Sequence, residues 1–308
     1  MAVMDITTNI GCPVNCVYCL QELVMRSYGK TGGPLMMPFD TFKRCIDKIP
    51  QDVIISFAGM SEPWANPECT KMLLYAYDKG HKIEVSTTLT CESLEDLDRI
   101  KHIPFHLFRV HVPSNDPDER IRPDESYLGR IKKVLETDIG ARFHYHGPEL
   151  HESLRPFIAD AERVLIASRS VNDVPKREGT APIRRLFAIA CSLGLRFNEL
   201  LPNGDVYLCC EDYGLKHKLG NLLEADYGDL FKSGEYFKVK RGLKDMSVDI
   251  LCRNCCFAYN TVFLGKLHNN IFESGNRSED LYDFVKAIGK AAGRYKNYIV
   301  KKSFAGRH

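Results

Sequence analysis

The chain has 308 residues, of which 44% are hydrophobic and 27% are charged, a composition typical of a soluble globular protein. Its formal net charge of +2 gives no electrostatic reason to expect nucleic acid or a membrane surface as a partner. No apolar run approaches the length of a membrane span, and the N-terminus lacks the basic-then-apolar layout of a signal peptide, so we expect a cytoplasmic protein.

The first half of the chain alternates apolar segments with helical ones. Strands are predicted at Met4–Thr8, Val53–Ala58, Lys82–Thr88, His106–Val112, Ala141–His146 and Val164–Ser168. Helices are predicted between them at Asp40–Ile49, Pro67–Lys79, Glu92–Ile100 and Tyr127–Leu135. Apolar strands separated by helices are typical of a parallel sheet, so the sequence predicts an α/β fold based on a partial (β/α)6 barrel.

The composition changes near Ser170–Pro182, a stretch rich in charge, proline and glycine that is typical of a linker. We therefore expect a barrel over residues 1–180, a small cysteine-bearing domain over 181–260 and a helical extension over 261–308. The extension contains an amphipathic helix candidate with many lysines and arginines. Its basic face either contacts an anionic partner or, more simply, is a solvated helix face.

Most of the 12 cysteines occur in clusters. In a reducing compartment, clustered cysteines more often bind metal or carry out chemistry than form disulfides. Cys45, Cys69 and Cys91 stand alone, and we interpret them as small buried hydrophobic residues.

The first cluster, Cys12, Cys16 and Cys19, has the spacing C-x3-C-x2-C and directly follows the first predicted strand. Thiolates are the usual ligands of iron–sulfur clusters, and three of them on one loop leave the fourth iron of a cubane open. An open coordination position is a substrate site, as it is in catalytic zinc centres. The alternatives are a zinc site or a cluster with a distant fourth cysteine.

This loop resembles the signature of the radical S-adenosylmethionine (SAM) superfamily, which commonly has an aromatic residue, here Tyr18, before the last cysteine. At the end of the second predicted strand, Gly59-Met60-Ser61-Glu62-Pro63 is similar to the family's Gly-Gly-Glu-Pro motif, with the second small residue displaced. The resemblance implies that this segment binds the amino group of SAM. The alternative for Glu62 is an ordinary strand-end carboxylate. The SAM contacts that the resemblance implies are Tyr18, Gly59, Met60, Ser61, Glu62, Ser86, Thr87, Thr88 and Ser114.

In this family the open iron binds the amino and carboxylate groups of SAM, and an electron from the reduced cluster cleaves the sulfonium. The resulting 5′-deoxyadenosyl radical takes a hydrogen atom from an unactivated C–H bond. The resemblance also implies a flavodoxin or ferredoxin-type reductant. The cofactor supplies the chemistry, and the protein aims it and excludes water.

The second set of cysteines, Cys191, Cys209, Cys252 and Cys255, resembles a SPASM or Twitch auxiliary-cluster domain. The Gly-x4-Cys spacing from Gly204 to Cys209 and the Gly220-Asn221-Leu222 segment belong to that pattern. Asn203-Gly204 is a hairpin turn signal, so Cys209 is expected on the second strand of a hairpin. A full SPASM domain carries more cysteines, so the one-cluster Twitch form is favoured, and we expect two [4Fe–4S] clusters in the chain.

Two points about this second set stay open. Cys210 or Cys256 could replace its neighbour as a ligand, and a structural zinc ribbon on Cys209/Cys210 and Cys252/Cys255 is the alternative to a cluster. If they are not ligands, Cys210 and Cys256 are either inert buried cysteines or hydrogen-atom donors.

Twitch enzymes that this chain resembles include 2-deoxy-scyllo-inosamine dehydrogenase and sugar or aminoglycoside epimerases. The resemblance therefore implies a carbohydrate or aminocyclitol substrate, with hydrogen abstraction at a carbinol carbon followed by oxidation to a ketone or by epimerisation. A peptide-modifying radical SAM enzyme and a non-catalytic zinc-binding protein are the alternatives. Positions at predicted strand ends favour ligand contact in parallel sheets, which gives as candidate substrate contacts His111, His144, His146, Arg169 and Glu211.

Overall fold

The computed structural model describes residues 1–16, 19–164, 187–255 and 257–261, and Met1–Asn260 form one compact unit. The strands of the first half are β1 (Val3–Ile6), β2 (Ile54–Phe57), β3 (Ile83–Thr87), β4 (Leu107–His111), β5 (Ala141–Tyr145) and β6 (Glu162–Arg163). The helices among them are α1 (Gln21–Tyr28), α2 (Phe39–Ile46), α3 (Cys69–Asp78), α4 (Leu94–Ile100) and α5 (Glu125–Leu135). Short 3-10 helices lie at Pro63–Ala65 and Glu152–Leu154.

The six strands run parallel in the order β1-β2-β3-β4-β5-β6, which confirms the predicted α/β fold with a parallel sheet. The sixth strand begins earlier than predicted, at Glu162, and residues 165–168 of the predicted segment lie outside the described residues. The predicted linker at residues 170–182 and the predicted tail helix also lie outside them.

The second half of the described chain adds β7 (Ile189–Cys191), β8 (Phe197–Leu200), β9 (Asp205–Tyr207), β10 (Lys218–Asn221) and β11 (Ala258–Asn260). It also adds α6 (Tyr227–Leu230), α7 (Gly234–Lys244) and a 3-10 helix at Leu251–Asn254. Strand β8 pairs in parallel with β1, and β9 and β10 continue the sheet in antiparallel fashion, giving nine strands. The barrel sheet and the cysteine-bearing region therefore share one hydrogen-bonded ladder.

The hairpin predicted at Asn203-Gly204 is confirmed: Gly204 has a φ of +83°, and Leu201 N donates to Asp205 O at 2.9 Å. The expected position of Cys209 on its second strand is wrong. Strand β9 ends at Tyr207, and Cys209 lies two residues further on, after Leu208 N has paired with His217 O at 3.0 Å. The cysteine is thus in a loop, where its thiol is not tied to the side-chain alternation of a strand.

The sheet has one apolar and one polar face. Met4, Ile6, Ile55 and Phe57 belong to the buried core, together with Phe108, Val110, Leu97 and Ile131 from later strands and helices. The intervening side chains project from the opposite face, here called the inner face, because successive residues of a strand alternate. On it, Asp5 is hydrogen-bonded to Ser56 and lies close to Glu84 and Arg109. No helix in the described part of the chain is long and apolar enough to cross a membrane.

Candidate active site

The first cysteine loop follows β1 and is closed by local turns. Asn15 adopts a φ of +46°, a left-handed conformation that asparagine tolerates, and Cys19 N donates to Cys16 O at 2.9 Å. All three cysteines are partly exposed and free of disulfides. Tyr18, the predicted aromatic contact, lies outside the described residues.

Gln21, in the first turn of α1, connects this loop to the segment that follows β2. Its Oε1 accepts from Cys12 N at 3.0 Å, and its Nε2 donates to Cys19 Sγ at 3.3 Å and to Met60 O at 2.6 Å. The side chain is only 4% exposed. Gln21 was not predicted as a site residue, since no sequence motif marks a glutamine whose side chain bridges two loops.

The segment Gly59–Pro63 packs directly against the end of β1. Gly59 has a φ of +45°, and a Cβ there would lie 2.6 Å from Ile6 O and 2.7 Å from Thr7 Cα, so only glycine fits. Met60 N donates to Thr7 Oγ1 at 2.8 Å, and Ser61 Oγ donates to Asn9 Oδ1 at 2.9 Å. These contacts hold the backbone that precedes Glu62 and so position the Glu62 side chain.

Glu62 is buried at the carboxyl ends of β2 and β3. Its oxygens accept from Thr87 Oγ1 at 2.6 Å, from Thr88 N at 2.7 Å and from Thr88 Oγ1 at 2.6 Å. Burial raises the pKa of Glu62, and these hydrogen bonds partly oppose the rise. Three predicted SAM contacts, Glu62, Thr87 and Thr88, are therefore in one hydrogen-bonded group.

A second buried carboxyl group, Glu92, shares the Thr87 hydroxyl with Glu62. Because a hydroxyl has one proton to donate, Glu62 and Glu92 cannot both accept from it as anions. Burial and then the charge of Glu62 raise the pKa of Glu92 well above its ordinary value. Glu92 is therefore the carboxyl group that keeps its proton more readily, and Glu62 is the one that carries negative charge more readily. Glu92 was expected only as the start of a helix.

This arrangement fits a cationic ligand such as SAM, which carries an ammonium and a sulfonium group. In the described part of the chain, neither Glu62 nor Glu92 forms an ion pair with a lysine or arginine. The Cys12 thiol is close enough to Glu62 for that carboxylate to help raise its pKa, after the larger effect of burial. The carboxylate that would take the ammonium thus lies beside the cysteine loop that would hold the cluster.

A cleft opens next to these groups, and its lining combines polar and sulfur-bearing side chains such as Asn9, Cys12, Gln21 and Cys91 with apolar ones such as Met25 and Trp64. Cys91 lies near Glu62, Glu92 and Cys12, and burial is the main cause that raises the pKa of its thiol to about 11. From the sequence, Cys91 was interpreted as a small buried hydrophobic residue, because a single cysteine is not part of a spaced motif that would indicate a site.

The other two predicted SAM contacts lie apart from the Glu62 group. Ser86 is on the inner face of β3. Ser114, beyond the end of β4, accepts from Asp116 N at 3.3 Å and contacts Glu119 through its own N–H and hydroxyl. Ser114 therefore stabilises the turn that follows β4.

The second cysteine set surrounds a separate, small cavity. All four predicted ligands line it, and its other walls are apolar: Leu193, Leu195, Phe197, Leu208, Leu251, Phe257 and Ala258. Burial, and then the nearby thiols of Cys209, Cys255 and Cys191, raise the pKa of Cys252. Four thiols around an apolar cavity fit a [4Fe–4S] cluster with four protein ligands.

The surroundings of Cys209 differ from those of the neighbouring Cys210. Cys209 lines the cavity and its Sγ accepts from Glu211 N at 3.3 Å, a type of contact that tunes iron–sulfur centres. Cys210 is hydrogen-bonded to Asp5 on the inner face, and its contact with Cys209, followed by burial, raises its pKa. Cys256 lies outside the described residues. Among the described His, Cys, Asp and Glu side chains, no three converge closely enough to ligate one mononuclear metal ion, whereas a cubane distributes its thiolate ligands over separate irons.

Of the predicted substrate contacts, three histidines come together at the ends of β4 and β5. The ring centroids of His111 and His144 are 5.2 Å apart, those of His111 and His146 are 4.5 Å apart, and those of His144 and His146 are 5.4 Å apart. Glu211 lies instead beside the second cysteine set, and Arg169 lies outside the described residues.

Comparison with known proteins extends these observations. Residues 191–256 match the SPASM family, an iron–sulfur cluster-binding domain. No significant match was found among curated proteins. The fold is similar to that of BtrN in complex with AdoMet and 2-DOIA, with a TM-score of 0.53 and 13% identity over 83% of this chain and 93% of that one.

Two further solved structures share the fold. Native anSMEcpe with bound AdoMet has a TM-score of 0.55 at 11% identity, covering 82% of this chain and 86% of that one. Streptococcus suis SuiB bound to precursor peptide SuiA has a TM-score of 0.55 at 12% identity, covering 82% and 69%.

The SPASM match over residues 191–256 and the fold shared with AdoMet-bound structures agree with the resemblance to radical SAM enzymes that the cysteine loop carries. More particularly, residues 191–256 match an iron–sulfur cluster-binding domain, and two of the structures that share the fold contain AdoMet, in agreement with the expected SPASM/Twitch resemblance and its cofactors, SAM and [4Fe–4S] clusters.

Proposed function

We propose that the protein abstracts a hydrogen atom from a carbinol carbon of a carbohydrate or aminocyclitol and converts it to a ketone or to the epimer. Bound SAM and a reduced cluster supply the 5′-deoxyadenosyl radical for this step. Cys12, Cys16 and Cys19 hold that cluster, and Glu62, supported by Thr87 and Thr88, receives the ammonium group of SAM. The four-thiol cavity holds the auxiliary cluster through Cys191, Cys209, Cys252 and Cys255.

The observation that carries this proposal is the contrast between an open cysteine loop beside a buried anion and a closed cavity with four thiols. A small-molecule substrate is supported by the similarity to BtrN, whose structure contains 2-DOIA, over 93% of that chain. The structures of anSMEcpe with Cp18Cys peptide and of SuiB with SuiA make a peptide substrate the second candidate.

The two chemical outcomes require different groups near the substrate radical. Oxidation needs a base for the hydroxyl proton and an acceptor for one electron, and the auxiliary cluster is the proposed acceptor. Epimerisation needs a thiol that returns a hydrogen atom to the opposite face. Cys210, whose side chain is hydrogen-bonded to Asp5 on the inner face, is the described candidate for this donor, and Cys256 is the other.

The test is anaerobic reconstitution followed by incubation with SAM, dithionite and a panel of polyols, aminocyclitols and peptides. We expect 5′-deoxyadenosine to form in proportion to an oxidised or epimerised polyol or aminocyclitol. If only peptides are turned over, the carbohydrate or aminocyclitol assignment is wrong and the substrate is a peptide. Bound zinc without iron would contradict the enzyme assignment.

Solvent deuterium distinguishes the two outcomes. An epimer formed in D2O carries one deuterium at the inverted carbon, and the Cys210→Ala and Cys256→Ala variants identify the donor by losing that product. A ketone formed by the wild type without deuterium incorporation assigns the reaction to oxidation for that substrate.

A further inference from the structure

Strands β4 and β5 present basic side chains on the inner face. Phe108, Val110 and Phe143 are buried in the core shared with the helices, so the alternating residues of these strands face the other way. The proximity of Arg109 to Asp5 and Glu84, on β1 and β3, agrees with this direction.

These basic residues are direct neighbours across the two strands. Arg109 is opposite Arg142, and two residues further along each strand His111 is opposite His144. Like charges directly opposite each other destabilise a sheet. In the described part of the chain, neither arginine forms an ion pair with a carboxylate, and both are exposed.

The histidines extend this basic surface towards the carboxyl ends of the strands. His146, beyond β5, is held by a 2.8 Å contact between its Nδ1 and Val164 O, and its ring lies 4.5 Å from that of His111. On β6, Glu162 is the register partner of His144, and its side chain is exposed. Ligands of parallel α/β sheets bind at this end of the strands.

We propose that Arg109, Arg142 and the three histidines bind an anionic group of the substrate, a phosphate or a carboxylate. Guanidinium groups form paired hydrogen bonds with both of these anions, and a bound anion would offset the repulsion between the two arginines. This inference rests on the proposed function and narrows it: the substrate is an acidic carbohydrate or cyclitol, and its anion is bound on the β4–β5 side of the inner face.

The test measures binding of glucose 6-phosphate, glucuronate and glucose to the reconstituted protein by calorimetry at constant ionic strength. At least one of the two anions should bind about tenfold or more tightly than glucose, because charge-assisted hydrogen bonds are involved. The anion that binds more tightly identifies the group as phosphate or carboxylate. Equal binding of all three probes, or binding of none, overturns the proposal.

The Arg109→Gln/Arg142→Gln variant should lose the preference for anions. The matched control is Arg44→Gln/Arg99→Gln, which removes two exposed arginines from the helices α2 and α4 and should keep the preference. A preference that survives in the first variant contradicts the proposal, provided that the variant retains its iron content and thermal midpoint. If the Arg109→Gln/Arg142→Gln variant does not fold, a His111→Gln/His144→Gln variant takes its place. This second variant should weaken anion binding without removing a permanent charge.

Formation of 5′-deoxyadenosine with SAM, dithionite and the panel of polyols, aminocyclitols and peptides separates this inference from the proposed function. If 5′-deoxyadenosine forms but the anions have no advantage over glucose, only the inference fails. If the anions bind preferentially and no 5′-deoxyadenosine forms, the anion site stands and the proposed function fails.

Discussion

The two cysteine-lined regions of this protein differ in what surrounds their thiols. Beside the first loop lie a wide cleft with both polar and apolar walls, a buried carboxylate and the hydrogen-bonding side chain of Gln21. The second region is a small cavity with four thiols and otherwise apolar walls. Three thiols with a neighbouring anion leave room for a ligand, whereas four thiols in an apolar cavity do not.

This difference teaches how one chain can assign different tasks to two similar centres. An iron without a protein ligand next to a carboxylate can bind a cationic amino acid derivative. A centre with four cysteine ligands and no polar access is suited to electron transfer, and its potential is set by burial and by N–H···S contacts such as that from Glu211 N to Cys209. The following changes test the two assignments separately.

The largest effect is expected from replacing the first three ligands. The Cys12→Ala/Cys16→Ala/Cys19→Ala variant should lose roughly four irons per chain and all formation of 5′-deoxyadenosine, because the cluster that reduces SAM is absent. Iron analysis and chromatography of the products measure both. The control is Cys45→Ala, which removes a buried thiol from α2. Persistent 5′-deoxyadenosine formation in the triple variant would contradict the assignment.

The next effect concerns the anion beside the first loop. Glu62→Gln keeps the size of the side chain but removes its charge, and it should weaken SAM binding roughly 10- to 100-fold, the range expected for a hydrogen bond to a charged group. Equilibrium dialysis with labelled SAM measures the affinity. Glu95→Gln, on the exposed surface of α4, should leave it unchanged. Unaltered affinity in Glu62→Gln would show that the ammonium group binds elsewhere.

A smaller effect is expected from Gln21. Gln21→Leu removes the N–H donor to Cys19 Sγ and the link to Met60 O, so the first cluster should become harder to reduce and SAM affinity should fall about three- to tenfold. Potentiometric titration followed by EPR gives the reduction potential. Gln21→Glu, which retains an acceptor for Cys12 N but has no N–H donor, should reproduce the shift in potential.

The matched control for Gln21 is Gln51→Leu. Gln51 is exposed and donates to Lys79 O at 2.8 Å, so its loss should not alter the potential. An unchanged potential in both Gln21 variants would mean that the side chain only supports the fold.

The smallest effect is a dependence of stability on pH that arises at Asp5, on the inner face beside Cys210. Burial raises the pKa of Asp5 from 3.8 to about 6, so protonation favours the folded state. This contribution is fully present below about pH 4 and is lost as pH rises through about 6, which amounts to at most about 3 kcal/mol. Asp5→Asn should therefore gain stability relative to the wild type between pH 4 and pH 7 in urea unfolding. Asp118→Asn, an exposed control, should not. A constant difference between wild type and Asp5→Asn across this range would contradict the pKa assignment.

Much of the fold could be predicted from the sequence because alternating apolar strands and amphipathic helices are local patterns. Strands β2 to β5 lie within the predicted segments, and β1 begins one residue before its predicted segment. The parallel pairing of β8 with β1 could not be predicted, since it joins Val3–Ile6 to residues almost 200 positions away and leaves no periodic pattern.

The candidate site divides in the same way. Cysteine spacing and the Gly59–Pro63 segment pointed to two loops that lie side by side in the structure, because tight loops restrict which residues can occupy them. Gln21, Glu92, Arg109 and Arg142 were missed because their roles depend on contacts between distant strands and loops. The meeting of three histidines followed from a rule about strand ends, which is a property of the fold class.

The most direct test of the central claim is the EPR spectrum of the dithionite-reduced protein with and without SAM, recorded for the wild type and for two variants. We predict that SAM changes the spectrum of one cluster in the wild type, and that this change persists in Cys209→Ala/Cys252→Ala and disappears in Cys12→Ala/Cys16→Ala/Cys19→Ala. A SAM-dependent change that persists in the triple variant and disappears in Cys209→Ala/Cys252→Ala would contradict the assignment of the open cluster to the first loop.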